Sequence, residues 1–514
     1  MLRIPAARAR EWLALIAILA VAAALRFWGA FHDLPFIYHP DEPQNIVAIQ
    51  QMLANRDPNP HLFLYPSLPY YLNALAGALR ALPVWLAGGT PDFSEPISIT
   101  MGATFAPDAG AVALYRSMTI FAGVLTVLFV HLAGKRMRDA ATGLLAAALA
   151  AVSPLLVDDC RHVTVDSYVV LFEMLVLLAS LAILVDGRRI AYIAAGLAIG
   201  ATAASKYNGA IVCLFPAAAH VARCGLSPRA SLPLVLAAGV SVAAFFCLTP
   251  FVLLDQNALQ GVGYQFGLYS GRHQGMEGQA LSWYLAQLWS GCGIAAPLAL
   301  VALVLAWRRR ASPVLIVAGF VLVYFAFIST FSLRNERTLL PLIPCVLLLA
   351  AWCAVELGTA RSPLRRVAPA LRQLALAVLG VALLVMPLRA TIGQTIALTT
   401  PDSRATAREW INTQLAPGAL VAVESYAPFV DPSRFRIVQA ERAIDHPLQW
   451  YVEQHADYLV LSQGMFGRYY FHPEQYPGEA AAYRRLIAPL QLVREFRDGG
   501  YAVLVYRVPA GTAN

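Results

Sequence analysis

The stretch LALIAILAVAAALRFWGAF, residues 13–31, decides the class of this chain, because only Arg26 interrupts an otherwise apolar run. A run of about 20 such residues matches the thickness of a bilayer's hydrocarbon core. It is too long for the apolar core of a cleavable signal, and no small-residue cleavage site follows it, so it reads as a retained signal anchor. Comparable runs recur at 114–134, 143–156, 168–185, 232–249, 288–307, 313–331, 339–357 and 371–388. Hydrophobic residues make up 59% of the 514 and charged residues 13%, against roughly 25% charged in ordinary soluble domains. A water-soluble fold could not bury that much apolar surface. The expected fold class is mainly α, a polytopic transmembrane helical bundle.

The net charge of +8 follows topology, which removes nucleic acid as its explanation. Arg3, Arg8 and Arg10 precede the first run; Lys135, Arg136 and Arg138 follow the second. Arg188 and Arg189, Arg223 and Arg229, Arg308 to Arg310, and Arg361, Arg365 and Arg366 fill later short loops. Basic clusters in alternate loops mark the cytoplasmic side. The N-terminus is then cytoplasmic. Residues 32–113 form a long outer loop with interfacial helices, and the segments near 158–167, 251–287 and 332–338 are also outside. Residues 70–89 carry Arg80 and two prolines and read as a helix lying in the interface. Residues 190–222 are too long for one span and break at Ser205–Gly209. Two short spans there, meeting at an outer Lys206, bring the total to about eleven spans.

From about residue 391 the composition becomes that of a soluble domain, outside the membrane. An amphipathic helix is expected over 404–415. Strands are expected at 419–424, 436–439, 458–461, 492–496 and 502–508, with helices near 448–455 and 479–486 between them. This alternation predicts a small α/β domain over 391–514, after a membrane domain over 1–390. The seven cysteines form no CxxC pair and none lies in that domain, so it does not rest on disulfides.

Charges near membrane spans are costly and usually functional, and those without a topological reason gather on the outer face. They are His39, Asp41 and Glu42 beyond the first run, Arg26 within it, and Arg116 opening the second. Asp158, Asp159, Arg161, His162 and Asp166 occupy one outer turn. Lys206, Arg334, Glu336 and Arg337 occupy two others, and His273 lies in a longer loop. Each has a plain reading: Arg26 can snorkel, and the 158–166 group can be a helix cap with local ion pairs. Together they imply an anionic ligand at the lipid interface beside a carboxylate able to act as a base. Arginine suits bidentate phosphate binding and lysine adds a point charge. The chemistry that fits is glycosyl transfer from a lipid-linked sugar. Cations would stabilise the leaving polyprenyl phosphate, and Asp41 would take the acceptor hydroxyl's proton. A divalent ion held by His39, Asp41, Glu42, His162 or His273 is the one cofactor these side chains would suit, though their spacing matches no metal motif.

At these residues the chain resembles the GT-C class of membrane glycosyltransferases. It looks most like the branch of protein O-mannosyltransferases and the aminoarabinose transferases that modify lipid A. The resemblance runs from Arg26 to about Pro344, carried by the Arg26 to Asp41-Glu42 segment, YRSMTIFAG, SPLLVDDCRHVTVDS, GLAIGATAASKYNGA and RNERTLLPLIP. It implies Asp41 as catalytic base with Glu42 beside it. It also implies Arg26, Arg116, Arg161 and Asp166 around the donor, and Lys206 on the phosphate with Arg334 or Arg337 assisting; His39, Asp158, Asp159 and His273 would be accessory. Members of this type work by inversion on undecaprenyl or dolichyl phosphate sugars, with no obligatory cofactor implied. The acceptor, whether glycan, lipid or protein, stays open. The Ala- and Arg-rich composition suits a bacterial inner membrane and undecaprenyl phosphate. The rival reading is a transporter or lipid flippase for an anionic ligand. Such proteins place ionisable groups near the bilayer midplane, whereas these lie at its outer boundary.

Overall fold

The computed structural model describes residues 6–227, 230–271, 275–359 and 368–509. His273 lies outside them, as do Arg3, Arg229 and the 361–366 basic cluster. The first apolar run folds as the helix Ala6–Phe27, which lies against Ala109–Met137 and Ala140–Ala151. The last two start where an aspartate accepts a hydrogen bond from the first turn: Asp108 from Ala111 N at 2.9 Å and Asp139 from Thr142 N at 2.9 Å. Such caps satisfy backbone donors that the helix itself leaves unpaired. The two helices meet at Gly143, where an added Cβ would sit 2.4 Å from His131 O. Helix Arg189–Ser205 meets Leu232–Leu248 through Gly196 and Gly200, where a Cβ would come within 2.5 Å of Ala237 O and of Ala244 Cβ. Small residues four apart let backbones close to contact, the usual way apolar helices associate in lipid.

Among the described residues, three helices are long and apolar enough to cross a bilayer by length and composition: Ala109–Met137, Asp166–Val185 and the segment opened by Pro369–Thr399. The pair Ala280–Cys292 and Ala295–Arg309, bent by 100°, would make a fourth. Five more apolar helices are shorter, at 10–17 residues. The expected count of about eleven spans is not confirmed by these three or four long helices, and the shorter helices have local causes. The 288–307 run bends at Gly293, which adopts φ +52°. The 143–156 run breaks at Ser153-Pro154 into Ala140–Ala151 and the short Pro154–Asp159. The 190–222 run breaks after Ser205, as expected, into Arg189–Ser205, the 3-10 turn Tyr207–Cys213 and Leu214–Cys224. Residues 70–89 give the helix Leu68–Leu86, which buries Tyr70, Asn73, Gly77 and Ala81 and turns Leu75, Leu79, Leu82 and Leu86 outward.

The structure carries two sheets. The smaller is built from the long loop: β1 (Phe36–Ile37), β2 (Ile97–Thr100) and β3 (Ala103–Phe105), antiparallel in the order β1-β3-β2. The larger belongs to the C-terminal part, with β4 (Leu420–Glu424), β5 (Arg436–Ala440), β6 (Tyr458–Ser462), β7 (Gln491–Phe496) and β8 (Val503–Arg507) in the order β5-β4-β6-β8-β7. These five strands fall on the five expected from alternation. Helices Ser403–Gln414, Leu448–Glu453 and Pro477–Ile487 also fall where expected. Strand β4 is buried on both faces: Leu420 and Ala422 join one apolar cluster, Val421 and Val423 another. The second cluster also takes in Ile99 and Ala103 of the small sheet. The loop that carries His39 to Glu42 therefore shares a hydrophobic core with the C-terminal domain.

Candidate active site

Asp41 is the N-cap residue of helix Glu42–Asn55, yet its side chain accepts no capping hydrogen bond. It points away and pairs with Arg337, both side chains 23% exposed. Arg337 is set by a turn in which Asn335 Oδ1 accepts from Arg337 N at 3.0 Å. Its Nη1 also stands 3.9 Å from Asp166 Oδ2. Asp166, in the first turn of Asp166–Val185, accepts from Lys206 Nζ at 2.7 Å. Lys206 reaches it because the chain turns extended there, at φ −155°, where helix Arg189–Ser205 ends. The ammonium also lies 5.9 Å from the Tyr65 ring centroid. Asp41, Arg337, Asp166 and Lys206 form one alternating row of charges.

Burial alone would raise the Asp41 pKa, but the facing Arg337 guanidinium outweighs it and holds the carboxyl below its ordinary value. Asp159 goes the other way: burial, then the Asp166 charge, pushes it up to about 7. It accepts from Ser167 Oγ at 2.7 Å and Thr164 Oγ1 at 3.3 Å. Two carboxyls of opposite proton affinity thus face one cavity of about 720 Å³, together with His39, Asp158, His162, Arg334 and Arg337. Lys206, at the far end of the charge row, lines a second hollow of about 340 Å³, walled by Tyr207, Phe266, Tyr269, Phe327 and Phe331. Gln265 and Tyr269 border both spaces.

The other expected residues are committed elsewhere. Glu42 is fully buried and takes Arg116 bidentately, from Nε at 2.9 Å and Nη2 at 2.7 Å, plus Val163 N at 2.8 Å. Arg116 also donates to Ala30 O at 2.9 Å. Arg26 donates to Ala22, Ala150 and Ala151 carbonyls at 3.1–3.2 Å, closing the C-terminus of Ala140–Ala151. Arg161 donates to Leu25 O at 2.7 Å and Thr395 Oγ1 at 2.5 Å. None of these four lines the large cavity. They hold together the first helix, the first loop and the 158–166 turn, which position the residues that do. Arg334 lines the cavity with its guanidinium on Glu277 O at 2.8 Å.

Sequence reasoning missed the wall supplied by the C-terminal domain: Arg404, Tyr426, Arg468 and Tyr501. Arg404, fixed by Asp402, donates to Tyr38 O at 3.2 Å and covers the Tyr38 ring at 4.3 Å. Arg408 donates to Tyr38 Oη at 3.0 Å and lies 3.5 Å over Phe36. The segment leading into Asp41 is therefore gripped by helix Ser403–Gln414. The only available signal was Arg404 and Arg408 one turn apart on that helix.

His39, Glu42 and His162 bring ligand atoms within 4.8 Å of one another, the one such trio among the described residues. They fit a divalent ion poorly. Both Glu42 oxygens are already engaged by Arg116, a fixed positive charge. His39 accepts Asp41 N–H on Nδ1 at 3.3 Å, and the two imidazoles stack face to face at 4.3 Å, which turns their lone pairs aside. Burial, then the neighbouring charges, lowers His39 to about 3, so it is a neutral acceptor.

Residues 110–254 match the family model described as dolichyl-phosphate-mannose-protein mannosyltransferase. No curated protein matches the sequence. The structure of ArnT from Cupriavidus metallidurans in the apo state aligns over 97% of this chain and 98% of that one, at 16% identity and TM-score 0.53. The same protein bound to undecaprenyl phosphate aligns over 98% and 99%, at 16% identity and TM-score 0.52. The apo oligosaccharyltransferase of Archaeoglobus fulgidus aligns over 90% of this chain and 70% of that one, at 12% identity and TM-score 0.54.

Proposed function

We propose that this chain, whose fold is similar to that of ArnT and whose residues 110–254 match the protein mannosyltransferase model, is a GT-C-type membrane glycosyltransferase that transfers a sugar from a polyprenyl phosphate to an acceptor hydroxyl on the outer face of the membrane. The observation that carries the reading is the Asp41–Arg337–Asp166–Lys206 row. It stands where a polar cavity meets an aromatic hollow, as a donor with a charged head and an apolar tail requires.

In this reading the phosphate lies between Lys206 and Arg337, with Arg334 nearby, and the isoprenoid follows the hollow past Phe266 and Phe331. Arg337 turns from Asp41 to the phosphate as the donor enters. That removes the charge holding Asp41 low, and its proton affinity rises when a base is needed. The acceptor oxygen attacks the anomeric carbon from the side opposite the phosphate, and Asp41 takes its proton. The bond from carbon to phosphate oxygen breaks, polyprenyl phosphate leaves against the two cations, and configuration inverts. Asp159, neutral below about 7, lines the sugar's side without repelling the donor.

The test is binding of undecaprenyl phosphate to the full chain in detergent. Each charge-assisted hydrogen bond is worth about 1.5–3 kcal/mol, so Lys206→Ala and Arg337→Ala should each weaken binding by about tenfold or more. Unchanged binding in both variants would remove the cation row from the donor site.

A further inference from the structure

Strands β5, β4 and β6 run parallel in that spatial order, so the chain leaves β4 on one side for β5 and returns on the other for β6. Such a reversal leaves a crevice outside the carboxyl ends of the two strands, where neither connection covers the sheet, and open α/β sheets bind ligands there. Here it lies between Glu424 and Ser462. Glu424, fully buried beneath these ends, ties them together by accepting from Ser462 N at 2.8 Å, Ala443 N at 3.1 Å and Tyr483 Oη at 3.0 Å. Because β8 is antiparallel to β6, its start near Tyr501 arrives at the same end.

Tyr426, Arg468 and Tyr501, just outside these strand ends, line the cavity that also carries Asp41. Tyr426 is held at φ +66°, a conformation bulky residues rarely adopt and one that collects at functional sites. Its N–H donates to Met101 O at 2.7 Å. Tyr501 meets Tyr426 edge-on at 6.0 Å, and both pack so closely on Gly464 that a Cβ there would lie 2.8–2.9 Å from them. Tyr426 is 7% exposed, whereas Tyr501 keeps 44% of its surface open. The Arg468 guanidinium stands 4.7 Å over the Tyr426 ring.

We propose that this crevice is the acceptor subsite and that the acceptor is a saccharide, its ring stacked on Tyr501 and its hydroxyl turned towards Asp41; this rests on the glycosyltransferase reading above. The Arg404 guanidinium stands 5.5 Å over the Tyr501 ring; the ring surface left exposed suits the C–H face of a sugar, and the guanidinium at the rim suits the hydroxyls. An extended peptide has no such fit: β4, β6 and β8 are interior strands, so no ladder edge opens on the cavity for it to join.

The experiment is saturation-transfer NMR on the full chain in detergent. The probes are chitobiose, mannobiose, maltose and an unglycosylated decapeptide rich in Ser and Thr. At least one disaccharide should bind. Tyr501→Ala should weaken it about tenfold, and Tyr501→Phe, which keeps the ring, should not. Arg468→Gln, which removes the charge over the Tyr426 ring and keeps the Tyr501 side chain, gives a second variant expected to weaken it. The proposal is overturned if no disaccharide binds, if Tyr501→Ala and Arg468→Gln bind as well as wild type, or if the peptide alone binds through Tyr501. Undecaprenyl phosphate binding is measured in parallel. If it persists while saccharide binding fails, the crevice alone falls. If it fails while Tyr501-dependent saccharide binding persists, the crevice stands and the donor reading falls.

Discussion

Asp41 and Glu42 are neighbours of one chemical kind, and replacing each with its amide should produce opposite defects. Glu42 is fully buried against Arg116, whose side chain is 2% exposed, and receives three hydrogen bonds of 2.7–2.9 Å. Glu42→Gln keeps the shape but leaves the Arg116 charge uncompensated in a dry site, at a cost of about 3–5 kcal/mol. Replacing Arg116 as well, by Gln, should recover part of that loss, because the stranded charge goes with it. Asp41 is different: its pair with Arg337 is 23% exposed on both sides, and Arg337 keeps Asp166 as a second carboxylate at 3.9 Å, so its loss strands no unpaired charge and costs far less stability. Asp41→Asn should therefore fold normally and lose what a general base supplies, about 10²–10⁴ in rate, or roughly 3–5 kcal/mol of barrier. Denaturation midpoints in detergent and single-turnover sugar transfer, measured on the same preparations, read the two effects separately. If Glu42→Gln is as stable as wild type, or Asp41→Asn keeps full transfer, the division of labour between the two carboxylates is wrong.

The pH profile should report Asp159. Its carboxyl, raised to about 7, is neutral below that pH and ionises as pH rises through it, placing a second negative charge beside Asp166 and the donor phosphate. Wild-type kcat/KM should fall on the alkaline side of about 7, and Asp159→Asn, neutral at every pH, should lack that limb. Arg404→Gln releases Tyr38 without touching the cation row, so kcat should fall by about tenfold while undecaprenyl phosphate affinity stays unchanged, since small misplacements of a reacting group are costly. In the bundle, Gly143→Ala would drive a methyl to 2.4 Å from His131 O and should destabilise by about 1–3 kcal/mol. Gly239→Ala meets nothing within 4 Å and should stabilise by about 0.5–1 kcal/mol, the helix preference for alanine; thermal denaturation of the pair compares them.

The C-terminal sheet was legible because its strands alternate or run apolar between turn residues, a signal that each segment carries by itself. The 190–222 break was legible for a like reason: Ser205 to Gly209 interrupt an apolar run where a helix must end. Span lengths were not, because Gly293 and Pro154 bend or end helices inside runs that composition scores as continuous, and a hydropathy window does not see direction. In the site, residue type and outer position were enough to collect Asp41, Asp159, Lys206 and Arg337. They could not tell a guanidinium that faces a cavity from one that ties carbonyls, as Arg26 and Arg161 do, since that depends on which helix ends lie within reach.

The unforeseen wall has a further consequence for how the site is built. Asp41 follows β1 by a few residues, and β1 pairs with β3, whose Ala103 sits in the same apolar cluster as Val421 and Ile411 of the C-terminal domain. Arg404 and Arg408 hold Tyr38 on the same side. Asp41, the proposed base, is thus fastened to the C-terminal domain, while Asp166 and Lys206, on the proposed phosphate side, are fastened to helices of the bundle. Arg337 spans the two, meeting Asp41 on one side and Asp166 on the other. Any displacement of the C-terminal domain moves Asp41 relative to Asp166 and Lys206 along the line that Arg337 bridges. Domain position should therefore set the rate of transfer far more than the affinity for donor.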